Sequence, residues 1–279
     1  MENKDIRFAV LIDADNAPRN SLKPILQEIA IYGTPTIKRI YGDWTLPNLS
    51  GWKVPLLENA IVPIQQYGYT SGKNSTDSAM IIDAMDILYT KSVEGFCIVS
   101  SDSDFTRLAI RLREAGMKVL GFGEKKTPNS FIVACDKFIY IEVIRDAFKQ
   151  AARPAIMAPP ERLPAASRTK AHTAVPLPET IAEAVPAEQA VVSQQSTLPD
   201  AVIELIAGSV QDIADEEGYA FMGELGNLLL KKQPDFDPRN FGYAKLTSLI
   251  KSIPRFEIDA RKTRDPNIKH IYLRDKNAV

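Results

Sequence analysis

Two apolar, β-branched runs in this sequence each stop at a pair of acids. Residues 96–100 are followed by Asp102 and Asp104, and residues 8–12 are followed by Asp13 and a second aspartate two positions on. A helical pattern begins directly after each pair, which predicts a buried strand that leads into a helix. Runs of this kind are typical of parallel sheets that are covered on both faces.

The position of these acids indicates a site. Ligands bind outside the carboxyl ends of the strands in an open parallel sheet. A further acid, Asp77, opens another helix after an apolar run at residues 61–65. If the three strands are neighbours, Asp13, Asp77, Asp102 and Asp104 converge on one point.

The same residues have a simpler explanation at each strand end taken alone. Ser101 or Ser103 is then an ordinary helix cap, and the aspartates only favour the helix dipole. Two strand ends with an acid pair each are hard to explain in this way.

A cluster of carboxylates predicts a divalent cation. Like charges in a partly desolvated site repel and raise each other's pKa, and a cation relieves that repulsion. Mg²⁺ or Mn²⁺ takes oxygen ligands and commonly binds through a few carboxylates together with a substrate phosphate. The chemistry implied is attack of water on a phosphodiester or a phosphomonoester with assistance from the metal.

The inventory of histidine and cysteine excludes other classes of site. The only histidines are His172 and His270, both outside the acid-rich region, so a His-based acid–base or Ser-His-Asp mechanism is ruled out there. Cys97 and Cys135 show no metal or redox spacing, and buried reduced cysteines are typical of a cytoplasmic protein.

No apolar run approaches the roughly 20 residues of a membrane span, and the first residues do not form a signal peptide pattern. We therefore expect a cytoplasmic protein with no membrane partner.

The chain divides into three parts. Residues 1–150 alternate short apolar runs with helical patterns, which predicts six strands and five helices in a parallel α/β sheet. Residues 151–198 contain seven of the nineteen prolines and no aromatic residue, which predicts a flexible linker that lets its neighbours move independently. Residues 199–279 predict three short helices closed by a β-hairpin, a small winged-helix α+β domain.

Charge within the last part is uneven. Residues 200–238 carry 2 basic and 9 acidic residues, whereas residues 239–279 carry 10 basic and 4 acidic residues. The hairpin loop includes Arg261, Lys262 and Arg264, and basic side chains release counterions when they bind phosphate. We expect this module to bind RNA or DNA, with protein docking, including formation of a homo-oligomer, as the alternative.

Two more residues are candidates for contact with substrate. Lys73 precedes Asp77 by four positions, where it can meet a phosphate, and Ser101 lies beside Asp102. The segment around Lys73 is one residue short of a P-loop and lacks its Ser/Thr, so nucleotide hydrolysis by that route is rejected.

Several ordered motifs resemble the NYN domain family of PIN-like nucleases. These are Leu-Ile-Asp-Ala-Asp-Asn at residues 11–16, Lys-Asn-x-x-Asp at 73–77, Ser-Ser-Asp-Ser-Asp-Phe at 100–105, and Gly-Phe-Gly at 121–123 with Cys-Asp-Lys-Phe-Ile at 135–139. The C-terminal part resembles an OST-HTH/LOTUS domain, a winged helix associated with RNA.

The resemblance implies a PIN-like fold and a metal-dependent ribonuclease. Its acidic cluster matches Asp13, Asp77, Asp102 and Asp104, and Asn16 is the polar companion of the first aspartate.

Two other functions stay open at this point. A haloacid-dehalogenase-like phosphatase is one, because Asp13-Ala14-Asp15 mimics the nucleophile motif of that class. A non-catalytic RNA-binding adaptor, in which the acids hold a metal only for structure, is the other.

Overall fold

The structure is a computed structural model that describes residues 5–68, 75–151, 198–262 and 269–278. Its N-terminal domain contains six strands and six α-helices. The strands are β1 (Arg7–Asp13), β2 (Thr34–Gly42), β3 (Val62–Gln65), β4 (Gly95–Val99), β5 (Lys118–Gly123) and β6 (Lys137–Tyr140). The helices are α1 (Leu22–Tyr32), α2 (Lys53–Glu58), α3 (Ser75–Thr90), α4 (Thr106–Glu114), α5 (Asn129–Ala134) and α6 (Ile141–Ala151).

All neighbouring strands of this domain are parallel, in the order β3-β2-β1-β4-β5-β6. The predicted α/β parallel sheet is therefore confirmed. Strands β1 and β4 are adjacent at its centre, with Ile12 opposite Val99. Their carboxyl ends thus lie side by side, which brings the residues after each strand to one edge.

Apolar layers cover both faces of the sheet, which explains why β1 and β4 are apolar almost throughout. One layer contains α3, α4 and α5, packed on residues such as Leu11 and Ile98. The other contains α1, α2 and α6, packed on residues such as Val10 and Cys97. Successive strand residues point to opposite faces, so each strand supplies both layers.

Some elements differ from the prediction. Helix α5 is a six-residue segment that the sequence pattern missed. The apolar pattern of residues 138–142 predicts a last strand that reaches Glu142, but the strand ends at Tyr140 and α6 begins at Ile141. Because Glu142 is in the first turn of α6, its backbone carbonyl group is not available to the sheet.

The C-terminal domain has three α-helices and a three-stranded antiparallel sheet in the order β7-β9-β8. The elements are α7 (Asp200–Ile213), β7 (Tyr219–Phe221), α8 (Met222–Lys232), α9 (Leu246–Lys251), β8 (Phe256–Lys262) and β9 (Lys269–Asp275). The predicted helices and hairpin are confirmed. Apolar residues from all three helices, among them Ile206, Leu229 and Leu249, pack with Leu273 of β9.

The two domains contact each other. Arg239 donates to both carboxylate oxygens of Glu28 at 2.9 and 2.7 Å, and the side-chain exposure of Glu28 is only 7%. The Tyr140 hydroxyl donates to Asp235 at 2.7 Å. These bonds join parts of the chain that were expected to move independently. Residues 152–197 of the predicted linker lie outside the described residues.

Candidate active site

The carboxyl ends of β1 and β4 and the first turn of α3 bring acids together. Asp13 ends β1, Asp102 follows β4 by three residues, and Asp77 is in the first turn of α3. Asp77, Asp102 and Asp104 each offer one carboxylate oxygen, and these three oxygens lie within 4.8 Å of one another. Three of the four predicted acids therefore share a small volume.

Asp102 also has a local structural role. Its carboxylate accepts a hydrogen bond from the backbone N–H of Asp104 at 2.9 Å and so caps a short 3₁₀-helix. The cap is thus Asp102, and not Ser101 or Ser103. This bond fixes the spacing of Asp102 and Asp104 and leaves the second oxygen of Asp102 for other contacts.

Asp13 lies beside this cluster but is buried, with 1% of its surface exposed. One oxygen accepts from the backbone N–H of Asp15 at 3.0 Å. The other accepts from the Asn16 amide and the Ser100 hydroxyl, both at 2.8 Å. A carboxylate held in this way is a poor nucleophile because both oxygens are occupied and shielded. This geometry does not favour the phosphatase alternative, which needs an accessible Asp13.

The charges of the acids act on one another. Burial raises the pKa of Asp77 to about 6, and the charges of Asp13, Asp102, Asp104 and Asp15 add to the rise. Burial and the charge of Asp13 likewise raise the pKa of Asp15. A divalent cation would relieve this repulsion, and three carboxylate oxygens suit a hard cation. The residues present therefore fit Mg²⁺ or Mn²⁺.

Comparison with known protein families decides the class of the domain with this site. The NYN domain family matches residues 7–142, and the OST-HTH/LOTUS domain family matches residues 193–268. The chain combines an NYN domain with an OST-HTH/LOTUS domain. The resemblance noted in the sequence is confirmed for both parts, and with it the PIN-like nuclease class of the first and the RNA-binding class of the second.

Other comparisons add little. None of the curated proteins compared matches the chain. A crystal structure of a protein of unknown function from Vibrio parahaemolyticus is 18% identical, with a TM-score of 0.44, and covers 50% of this chain and 96% of that one. A solution NMR structure of an uncharacterized protein from Nitrosomonas europaea is 31% identical, with a TM-score of 0.27, and covers 37% of this chain and 95% of that one.

The candidate substrate-binding residues have different surroundings. Ser101 is buried, and its hydroxyl accepts from the backbone N–H of Glu124 at 2.9 Å, which ties the end of β4 to the loop after β5. In the OST-HTH/LOTUS domain, Arg261 is paired with Asp259 and lies over the rings of Tyr219 and Tyr272, 4.7 and 4.5 Å from the ring centroids. Lys73, Arg264 and the side chain of Lys262 lie outside the described residues, so their proposed contacts stay predictions.

Ser100 is a site residue that the sequence pattern missed. It donates to Asp13 and accepts from the backbone N–H of Asp102 at 3.1 Å, so one hydroxyl joins the acids of both strands. Its position at the end of an apolar run, two residues before Asp102, was the available signal.

The structure corrects the position predicted for Asp83. At 100° per residue, Asp83 and Asp86 lie about 120° and about 180° around α3 from Asp77, which predicts solvated positions for both. Asp86 is exposed, but Asp83 accepts hydrogen bonds from Arg39 and from the Tyr41 hydroxyl. The backbone carbonyl of Tyr41 also accepts from the N–H of Ala14 at 3.0 Å, directly after Asp13. Tyr41 therefore connects α3, which carries Asp77, with the end of β1.

No helix within the described ranges is long and apolar enough to cross a membrane.

Proposed function

We propose that this protein is a ribonuclease that depends on Mg²⁺ or Mn²⁺ and cleaves phosphodiester bonds of RNA at the acidic cluster of the NYN domain. The observation that carries the proposal is the approach of Asp77, Asp102 and Asp104 to within 4.8 Å through single oxygens. The NYN match supplies the nuclease class, and the OST-HTH/LOTUS match supports RNA as the partner.

The chain's own residues have separable tasks in this proposal. Asp77, Asp102 and Asp104 hold the cation, while Asn16 and Ser100 fix the buried carboxylate of Asp13 beside them. A bound divalent cation supplies a Lewis acid for the scissile phosphate and lowers the pKa of the attacking water.

RNA would be held by groups outside this cluster. In the OST-HTH/LOTUS domain, Arg261 and the basic hairpin loop are candidates for phosphate contact, because Lys and Arg dominate the affinity of proteins for nucleic acids. Lys73 is the candidate nearest in sequence to Asp77.

The test uses the full chain with labelled single-stranded RNA, single-stranded DNA and duplex, with and without Mn²⁺. Replacement of Asp102 by Asn should lower RNA cleavage by roughly 10²–10³-fold, the usual cost of losing one electrostatic contact in the transition state. Asp86→Asn is the matched control, because Asp86 is an exposed acid on α3 away from the cluster.

Unchanged cleavage by Asp102→Asn, with contaminating nuclease excluded, would overturn the proposal. RNA binding without turnover under any divalent cation would instead favour the adaptor. Release of phosphate from a phosphomonoester, with an aspartyl-phosphate that can be trapped, would favour the phosphatase.

A further inference from the structure

A second charged region lies at the opposite end of the parallel sheet. A cleft of about 560 Å³ is lined by residues of both domains. The NYN domain contributes Lys118, the first residue of β5, and Lys137, the first residue of β6. The OST-HTH/LOTUS domain contributes Lys231 in the last turn of α8. Three lysines from three elements therefore line one cleft.

The charge of this cleft is only partly neutralised by the protein, because Asp237 and Glu28 act on Lys137. Asp136 is the only acid among the described lining residues, and it pairs with Arg113 at 3.0 Å. In the described part of the chain, none of the three lysines has a carboxylate within 4.0 Å. Lys118 and Lys231 are exposed. The cleft is therefore positive, and it is suited to an anionic ligand.

Lys137 differs from the other two lysines. Its ammonium lies over the ring of Tyr32, 5.0 Å from the centroid, at the inner wall of the cleft. Burial lowers its pKa. The negative charges of Asp237 and Glu28 oppose this effect, and the positive charges of Arg239 and Lys118 add to it. An anion bound in the cleft would counter this effect and would stabilise the charged form.

The contacts between the domains hold the cleft together. The N–H of Phe138 donates to the carbonyl of Pro234 at 2.9 Å, one residue after Lys137 and three after Lys231. The ion pair of Arg239 with Glu28 lies on the same side of the NYN domain, because Glu28 and Tyr32 are one turn apart on α1. Lys231 is thus held near Lys118 and Lys137 without a direct bond between them.

We propose that this cleft binds the phosphodiester backbone of the RNA substrate, at a site separate from the acidic cluster. The proposal rests on the proposed ribonuclease function for the identity of the substrate. The two sites lie at opposite ends of the strands, separated by roughly 17 Å along β5 at 3.3 Å per residue. A long RNA can contact both sites, whereas a dinucleotide at the acidic cluster cannot reach the lysines.

The test measures binding by the full chain in EDTA, so that it does not depend on cleavage. Lys118→Gln/Lys231→Gln removes one charge from each domain at exposed positions. We expect the Kd for a labelled single-stranded 12-mer RNA to rise roughly tenfold and the slope of log K against log salt to become less steep by about 1.4, since each phosphate contact on a single strand contributes about 0.7. Single-stranded DNA of the same sequence should show a similar loss, because the contacts are to phosphates.

Two controls distinguish the effect of losing positive charge in the cleft from the effect of losing positive charge anywhere on the surface. Lys53→Gln/Lys91→Gln removes the same number of exposed lysines from elsewhere in the NYN domain and should leave Kd and slope unchanged. Lys118→Arg/Lys231→Arg should retain binding, and thermal melting should show that all variants are folded.

Equal Kd and salt slope for the cleft variant and the wild type would overturn the cleft proposal, and so would equal losses in both lysine pairs. The ribonuclease proposal is judged separately by cleavage. If the protein cleaves, the cleft variant should raise KM for long RNA while kcat/KM for a dinucleotide stays at the wild-type value.

Discussion

The two ends of the parallel sheet carry opposite charges. At the carboxyl ends, Asp77, Asp102 and Asp104 crowd together, and burial and the neighbouring negative charges raise the pKa of Asp77. At the amino ends of β5 and β6, Lys118 and Lys137 line a cleft with Lys231 of the second domain. The carboxyl end is built within the NYN domain alone, whereas the amino end needs both domains. This difference separates the proposed site of cleavage from the proposed RNA-binding cleft, and it allows each to be perturbed without the other.

The largest expected effect is a loss of stability caused by a substitution near the amino end of the parallel sheet. Arg239→Met leaves Glu28 and Asp237 without their guanidinium partner, although the side chains of both are less than 10% exposed. Loss of one partner of a buried ion pair costs about 3–5 kcal/mol. Urea unfolding at pH 7 should show this loss in the free energy of unfolding, while activity on a dinucleotide should persist in the folded fraction.

The matched control is Arg7→Met, since Arg7 also pairs with a glutamate but is 45% exposed. Exposed pairs contribute about 0–1 kcal/mol, so this variant should be nearly as stable as the wild type. If both variants lost the same free energy of unfolding, the contact between the domains would stabilise the protein no more than an exposed ion pair does.

The same ion pair predicts a dependence on pH. Burial alone would raise the pKa of Asp237, but hydrogen bonds from Arg239 outweigh it and hold this pKa below its ordinary value. A lowered carboxyl pKa contributes stability that is present above the unfolded pKa of about 3.9 and is lost as the pH falls below it. The deficit of Arg239→Met should therefore shrink as unfolding is measured at pH values falling below about 4.

A smaller effect is expected from Ser100→Ala at the carboxyl end. The change removes the hydroxyl that joins Asp13 to the backbone of Asp102. Loss of a group that orients metal ligands typically costs 10–100-fold in activity or metal affinity. Cleavage assays should show this loss, with RNA binding in EDTA unchanged. A parallel loss of RNA binding would contradict the separation of the two ends.

Tyr41→Phe should have a weaker effect, because it acts on the carboxyl end only through α3. The variant removes one of the two side-chain donors to Asp83 and leaves Arg39 in place. A hydrogen bond to a charged group contributes about 1.5–3 kcal/mol to stability. We expect a stability loss of this size and a higher Mn²⁺ concentration for half-maximal cleavage, with near-normal cleavage at saturation. Tyr89→Phe, at an exposed position of α3, should change neither quantity.

The smallest effect is a gain in stability. Asp77→Asn removes a carboxylate whose pKa is raised to about 6, so its ionised form is disfavoured in the folded state. A raised pKa means that stability is greatest below the unfolded value of about 3.9 and is lost as the pH rises through about 6. Because the group is only partly buried, we expect a gain of no more than about 1 kcal/mol in the free energy of unfolding, or roughly 2–4 °C in Tm.

Melting in EDTA at pH 7.5 and at pH 4 tests this prediction. The metal-free variant should melt above the wild type at the higher pH and level with it at the lower one. A variant that melts below the wild type at both pH values would show that Asp77 stabilises the apo fold.

The sequence predicted the residues that meet at the carboxyl end of the sheet better than those that meet at the amino end, and the reason is physical. Acids directly after apolar runs mark strand ends, and parallel strands bring such ends together whatever the details of packing. Tertiary contacts have no such local signal. The helical wheel gave the direction of Asp83 relative to Asp77, but it contained no information that β2 would supply Arg39 and Tyr41. Likewise, Glu28 and Arg239 are 211 positions apart, so no spacing pattern links them.

The two outer strands of the NYN sheet are protected in different ways. Strand β3 contains Pro63, which has no N–H to offer to another strand, whereas β6 has the N–H of Phe138 occupied by the carbonyl of Pro234. The OST-HTH/LOTUS domain therefore also shields an otherwise open β-edge. An isolated NYN domain prepared by truncation would expose this edge and would be prone to self-association, so biochemical work on this protein should keep both domains on one chain.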